Sequence, residues 1–168
     1  MHAALESIAT QLAPALRIVT LPTAYLAWVR DGRDDLDQPV ERHIAKGGEP
    51  LRDCLRRASP GEAILLASYC PFTVAGPYRE YGPVFVAADA QQQPPLGTLP
   101  VGGAQPYLGE AFVLRAYSRE ERIVDARMSS PHAAASELAT FFAQEEVSFV
   151  LARFPTYGCY ALRIERAA

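Results

Sequence analysis

Lysine is nearly absent from this sequence. Of 16 basic residues only Lys46 is not arginine. A GC-rich genome accounts for such a bias; the alternative is arginine chosen as a planar fork for anions. Excess positive charge is also missing. The formal charge is −3, which leaves no global basic field to attract nucleic acid. Cysteine is scarce, and the three present (Cys54, Cys70, Cys159) cannot all pair. That argues against a disulfide scaffold and makes a reducing cytoplasm the expected location. No run approaches the ~18 consecutive apolar residues of a membrane helix. The opening stretch MHAALESIATQLAPAL has no basic leader and carries Glu6, so neither a signal peptide nor membrane association is expected. P-loop, Rossmann glycine and Ser-His-Asp patterns are lacking, and Gly102-Gly103 is too short to cradle a phosphate. No cofactor is expected.

What is present is apolar material for a core. Hydrophobic residues make up 49% of 168, which fits a single domain spanning 1–168. Leu5, Ile8 and Leu12 recur at helical spacing before Pro14, so 1–15 reads as a short helix or loosely attached arm. A strand follows at 16–21, then a helix over 23–30 ended by Asp31-Gly32. Residues 31–50 are polar and read as a long loop. A helical turn is expected at 51–58, strands at 62–69 and 84–88, and irregular chain over the Gln-, Pro- and Gly-rich 89–109. The last third reads as two hairpins, 111–117 with 122–128 and 147–153 with 159–165. Between them lies a helix over 131–143, with Ser130 as N-cap and Pro131 at its first position. The fold class is α+β: a mostly antiparallel sheet of about six strands with two to four helices packed on it.

The runs EPLRDCLRRASPGEAILLASYCPF, PYREYGPVFV, LRAYSREERIVDAR and YGCYALRIER resemble, in that order and over roughly residues 20–166, the bacterial family catalogued as domain of unknown function 1203. The resemblance implies a bacterial single-domain protein and no particular activity. Many members of that family carry a Cys-x-x-Cys before the Gly-Glu strand, then a His and a further Cys, a set that would suit zinc. This chain has Leu51 and Ala87 at two of those positions, keeps only Cys54, and has no cysteine over 88–95. No bound metal is expected.

The residues with chemical potential are charges inside apolar strands. If Ser118–Glu121 form a type I turn with a bulge, residues 118 and 122 pair and Arg115 lies opposite Asp125. That pair reads as a structural ion pair or as part of a ligand site. A five-residue loop over 154–158 would set Arg153 opposite Cys159, where a guanidinium activates the thiol; otherwise Cys159 is a small buried hydrophobe. Tyr69, Tyr78 and Tyr81 could line a pocket mouth with Arg79 and Glu80 or serve as rim residues. His43 and His132 read as solvated. Three functions compete. The first is a binding module in which Arg52, Arg115 and Arg153 grip a small anionic ligand within reach of Tyr69, Tyr78 or Tyr117. The second is a small enzyme using Cys159 or Asp125. The third is an interaction domain without chemistry.

Overall fold

The computed structural model of the chain describes residues 11–168. Its elements run β1 (Leu16–Val19), α1 (Thr23–Arg30), β2 (Glu41–Ile44), β3 (Pro50–Leu51), β4 (Arg56–Arg57), β5 (Ala63–Tyr69), β6 (Gly82–Ala87), β7 (Phe112–Tyr117), β8 (Ile123–Ser129), α2 (Ala134–Phe142), β9 (Phe149–Arg153) and β10 (Tyr160–Arg166). The strands form two five-stranded sheets, ordered β1-β10-β9-β7-β8 and β2-β5-β6-β3-β4. Every pair is antiparallel except β3 with β6. The α+β class and the mostly antiparallel pairing stand; the single sheet of about six strands is corrected to two sheets of five. A run such as 62–69 reads as a buried strand in either arrangement, because periodicity does not say which neighbour it joins.

Side-chain alternation explains the layering. Along β7, Phe112, Leu114 and Ala116 face one way, with Val150, Ala152, Leu162 and Ile164 of the neighbouring strands. That face meets Ala134, Leu138 and Phe141 of α2, the apolar helical stripe expected from spacing. The opposite face presents Tyr117, Phe149, Leu151 and Tyr160 to Leu65, Ala67, Val84 and Val86 of β5 and β6, and to Tyr25 and Val29 of α1. Each large side chain so buried contributes about 1.5–3 kcal/mol. By the same alternation Leu66, Pro83 and Phe85 point out of the far face of the second sheet.

Local chemistry sets the element ends. α1 ends as a Schellman motif: Gly32 takes φ 105°, its N–H donates to the Val29 carbonyl, and the Arg33 N–H reaches back to Trp28. Before α2, Ser130 Oγ accepts the Ala133 N–H at 3.3 Å, as a cap should. Residues 131–133 form a turn, and the regular helix begins only at Ala134. Of the expected N-terminal helix, residues 1–10 lie outside the described residues. Gln11 bridges Thr98, and Leu12 is buried.

Two local expectations are corrected. Residues 31–50 contain β2, an exposed edge strand on β5; its solvated side chains, Glu41-Arg42-His43-Ile44, hide the strand from any apolar pattern. In place of a helical turn over 51–58 stands the β3–β4 hairpin. A single turn survives, Leu55 N–H to Leu51 carbonyl at 2.9 Å, but Leu55 takes φ 53° and the helix cannot continue. Among the described residues no helix is long and apolar enough to cross a membrane.

Candidate functional site

The β3–β4 hairpin sets two arginines against the β9–β10 loop. Arg52 follows β3, where its N–H donates to the Phe85 carbonyl at 2.9 Å. The residue is only 4% exposed. Nε donates to the Tyr160 carbonyl at 2.9 Å and Nη1 to the Pro50 carbonyl at 2.8 Å. Nη2 makes no hydrogen bond to a described residue. Arg57, in β4, donates to the carbonyls of Gly48 at 2.9 Å and Tyr107 at 2.8 Å. Both guanidiniums lie over the Phe154 ring, at 5.2 and 5.1 Å from its centroid. Neither has a carboxylate partner among the described residues, whereas Arg30 has Asp53 at 2.8 Å and Arg56 has Glu62.

These two cations line a cleft of about 740 Å³. Leu66, Pro83 and Phe85 form its apolar wall, and the loop Phe154–Tyr157 and Cys159 face them. Burial pulls the Arg52 guanidinium below its ordinary range, and Arg57 alongside acts in the same direction. A buried cation whose partners are neutral carbonyls carries an uncompensated desolvation cost. Glu49 also lines the cleft, but its carboxylate oxygens accept the N–H groups of Lys46 and Gly47.

A smaller cavity of about 180 Å³ adjoins the cleft and shares Pro83, Tyr157 and Cys159 with it. Arg153, 5% exposed, lines this second cavity. Its Nη1 donates to the Gly158 carbonyl at 3.1 Å, Nη2 is in ion-pair contact with Glu80, and Nε has no partner among the described residues. Tyr69 lines the same cavity, its ring tilted against Tyr25 and edge-on to Tyr160. Burial pushes its hydroxyl up to about 12.

Tyr81 and Glu80 line the smaller cavity too, and Cys159 lines both; most other residues singled out in the sequence lie elsewhere. Arg115 comes within 4.0 Å of Glu80 but lines neither cavity. Tyr78 is on the surface against the Arg122 guanidinium, and Tyr117 is buried between Phe149 and Phe72. Asp125 does not face Arg115. The turn forms as expected: the Ser118 N–H donates to the Arg122 carbonyl, and Glu121 takes φ 62°. A second bulge at Val124 then sets Ala116 against Asp125 and Arg115 against Ala126, so the two charges project from opposite faces. Asp125 instead lies 3.7 Å from Arg127. Tyr160, not Cys159, is the partner of Arg153. Among the described residues the Cys159 thiol hydrogen-bonds only the Tyr157 carbonyl, and no histidine bonds to it. His43 lies against Glu41 on the exposed β2, and His132 is exposed.

Among the described residues no group of three or more His, Cys, Asp or Glu is placed to hold a metal ion. Leu51 and Ala87 are buried in an apolar cluster against Cys54, and burial pushes the Cys54 thiol up to about 12. Arg57 and Phe154 escaped the sequence reading. The usable signal was the run Arg52, Arg56 and Arg57, three cations with only Asp53 and Glu62 as acids between residues 50 and 65. No curated protein and no solved structure matches the chain. A family model described as a protein of unknown function, DUF1203, matches residues 48–166, which include β3 to β10 and the arginines of both cavities, and the chain belongs to that family.

Proposed function

We propose that the protein binds a small organic anion in the 740 Å³ cleft, its acidic group held by Arg52 and Arg57 and its apolar part laid against Leu66, Pro83 and Phe85. The observation that supports this reading is the contrast among the arginines. Arg30 and Arg56 have acids, while Arg52 and Arg57, side by side over Phe154, have only neutral carbonyls among the described residues. A carboxylate or phosphate placed between two guanidiniums gains charge-assisted hydrogen bonds and relieves their mutual repulsion. The mixture of cations with an apolar wall favours a ligand with an acidic head and a hydrocarbon body over a bare inorganic ion.

Thermal unfolding with benzoate, phenyl phosphate and straight-chain monocarboxylates tests this. A binder at a hundredfold excess over its Kd should stabilise the fold by about 3 kcal/mol. Arg52→Gln or Arg57→Gln should abolish that gain, while Arg33→Gln, on the surface, should keep it. No stabilisation by any of these anions, or equal stabilisation in all variants, would overturn the reading.

A further inference from the structure

Cys159 stands at the partition between the two cavities, and a guanidinium is anchored on each side of it: Arg153 on the Gly158 carbonyl and Arg52 on the Tyr160 carbonyl. Arg153 is nearly sealed from solvent, yet its Nε lacks a partner among the described residues and its Nη2 touches Glu80 without hydrogen-bond alignment. Glu80 is itself 47% exposed and sits in the chain between β5 and β6. It serves two cations, since Arg115 is also within 4.0 Å. A half-exposed carboxylate paired with a deeply buried guanidinium is the arrangement expected of a removable counter-ion, because the buried member bears most of the desolvation cost.

We propose that the ligand carries an acidic group at each end, and that Glu80 occupies the place of the second one. This deepens the reading given above and rests on it. One carboxylate takes Arg52 and Arg57 in the large cleft. The hydrocarbon middle passes Pro83, Tyr157 and Cys159, the residues common to both cavities. The far carboxylate takes Arg153 as Glu80 swings out into solvent. A monoanion engages only the first site and leaves Glu80 in place. Both acidic groups then bind by charge-assisted bonds to planar forks, and the class indicated is the α,ω-dicarboxylates and their phosphorylated analogues.

Titration calorimetry with succinate through sebacate, each against the monocarboxylate of equal length, tests the proposal. At the matching length the dicarboxylate should bind about tenfold tighter than its monocarboxylate. Glu80→Gln removes the competing carboxylate and should widen that ratio. Arg153→Gln should collapse it towards one. Alkylation of Cys159, read by peptide mapping, should slow with the matching dicarboxylate and less with the monocarboxylate. Should Arg153→Gln fail to fold, the Glu80→Gln ratio and the Cys159 protection still decide the matter. Monocarboxylates binding through Arg52 with no gain from a second acid at any length would overturn this proposal and leave the anion-binding reading standing. Failure of every acid to bind would remove both.

Discussion

The two sheets have equal strand numbers but differ in what covers them. The first is filled on both faces: every residue of β9 is buried, with α2 on one side and the second sheet on the other. The second sheet is fully packed on one face, while its far face is covered at one end only, by the small cluster of Leu51, Ala58, Ile64 and Ala87. Its far face ends in half-buried Leu66 and Phe85, which wall the cleft. The first sheet therefore behaves as scaffold, with its carbonyls at Gly158 and Tyr160 serving as fixed anchors for Arg153 and Arg52. The second offers a surface whose side chains have not found their final partners. The difference locates binding capacity where packing is incomplete and stability where it is complete.

The largest expected effect tests the packing side of that contrast. Phe141→Ala, at a position with no exposure beside Leu114 and Val150, should cost about 3–5 kcal/mol in urea denaturation. Phe85→Ala, in the cleft wall, should cost about 1–2 kcal/mol, because its ring is already partly hydrated. Equal losses would break the distinction between a filled and an open face.

Alkaline pH sharpens it next. Burial pushes Cys54 and Tyr69 up to about 12 and raises Tyr25, Tyr107 and Tyr160 above the ordinary tyrosine range. In the unfolded chain these groups ionise near about 8.5 for the thiol and about 10 for the phenols. Above those values the folded state holds more protons than the unfolded state, so stability falls as pH rises. Their contribution is complete below about pH 8.5 and declines through about pH 12, by on the order of 1 kcal/mol per pH unit for each group. Urea midpoints followed from neutral pH to about pH 11 should fall with increasing steepness. A flat profile would mean that these hydroxyls are not enclosed between the layers.

The smallest effect belongs to the surface of β8. Asp125→Asn removes an exposed partner of Arg127 and should change stability by less than about 1 kcal/mol. A larger loss would imply that Asp125 faces a buried charge after all.

That residue also shows where the sequence stops being legible. The Ser118–Arg122 turn could be read from its residues, including the left-handed Glu121. The extra residue at Val124 could not, because a bulge leaves no compositional mark, and one added residue reverses every side chain beyond it. The limits of α1 were legible because Asp31-Gly32 is a stop signal with its own hydrogen bonds. Edge strand β2 and the β3–β4 hairpin were not, since the first exposes every side chain and the second is too short for periodicity to register. At the cavities, Arg153 drew notice as a charge inside an apolar strand, and Tyr69 and Cys159 as polar groups beside strands. Tyr117 carries the same sequence signal as Tyr69 yet turns into the core, because the pleat of β7 directs it there. Arg57 is distinguished from Arg56 only by where Glu62 folds to, and that is a tertiary fact.

Arg52 and Arg57, which line the cleft with no acid among the described residues, are the proposed seat of the ligand's acidic head, and NMR of the arginine Nε–Hε groups tests that role. On titration with benzoate, the Arg52 and Arg57 resonances should shift together along one saturable curve, while those of Arg30 and Arg56, already paired with Asp53 and Glu62, should stay in place. Shifts of equal size across all four, or none at Arg52 and Arg57, would contradict it.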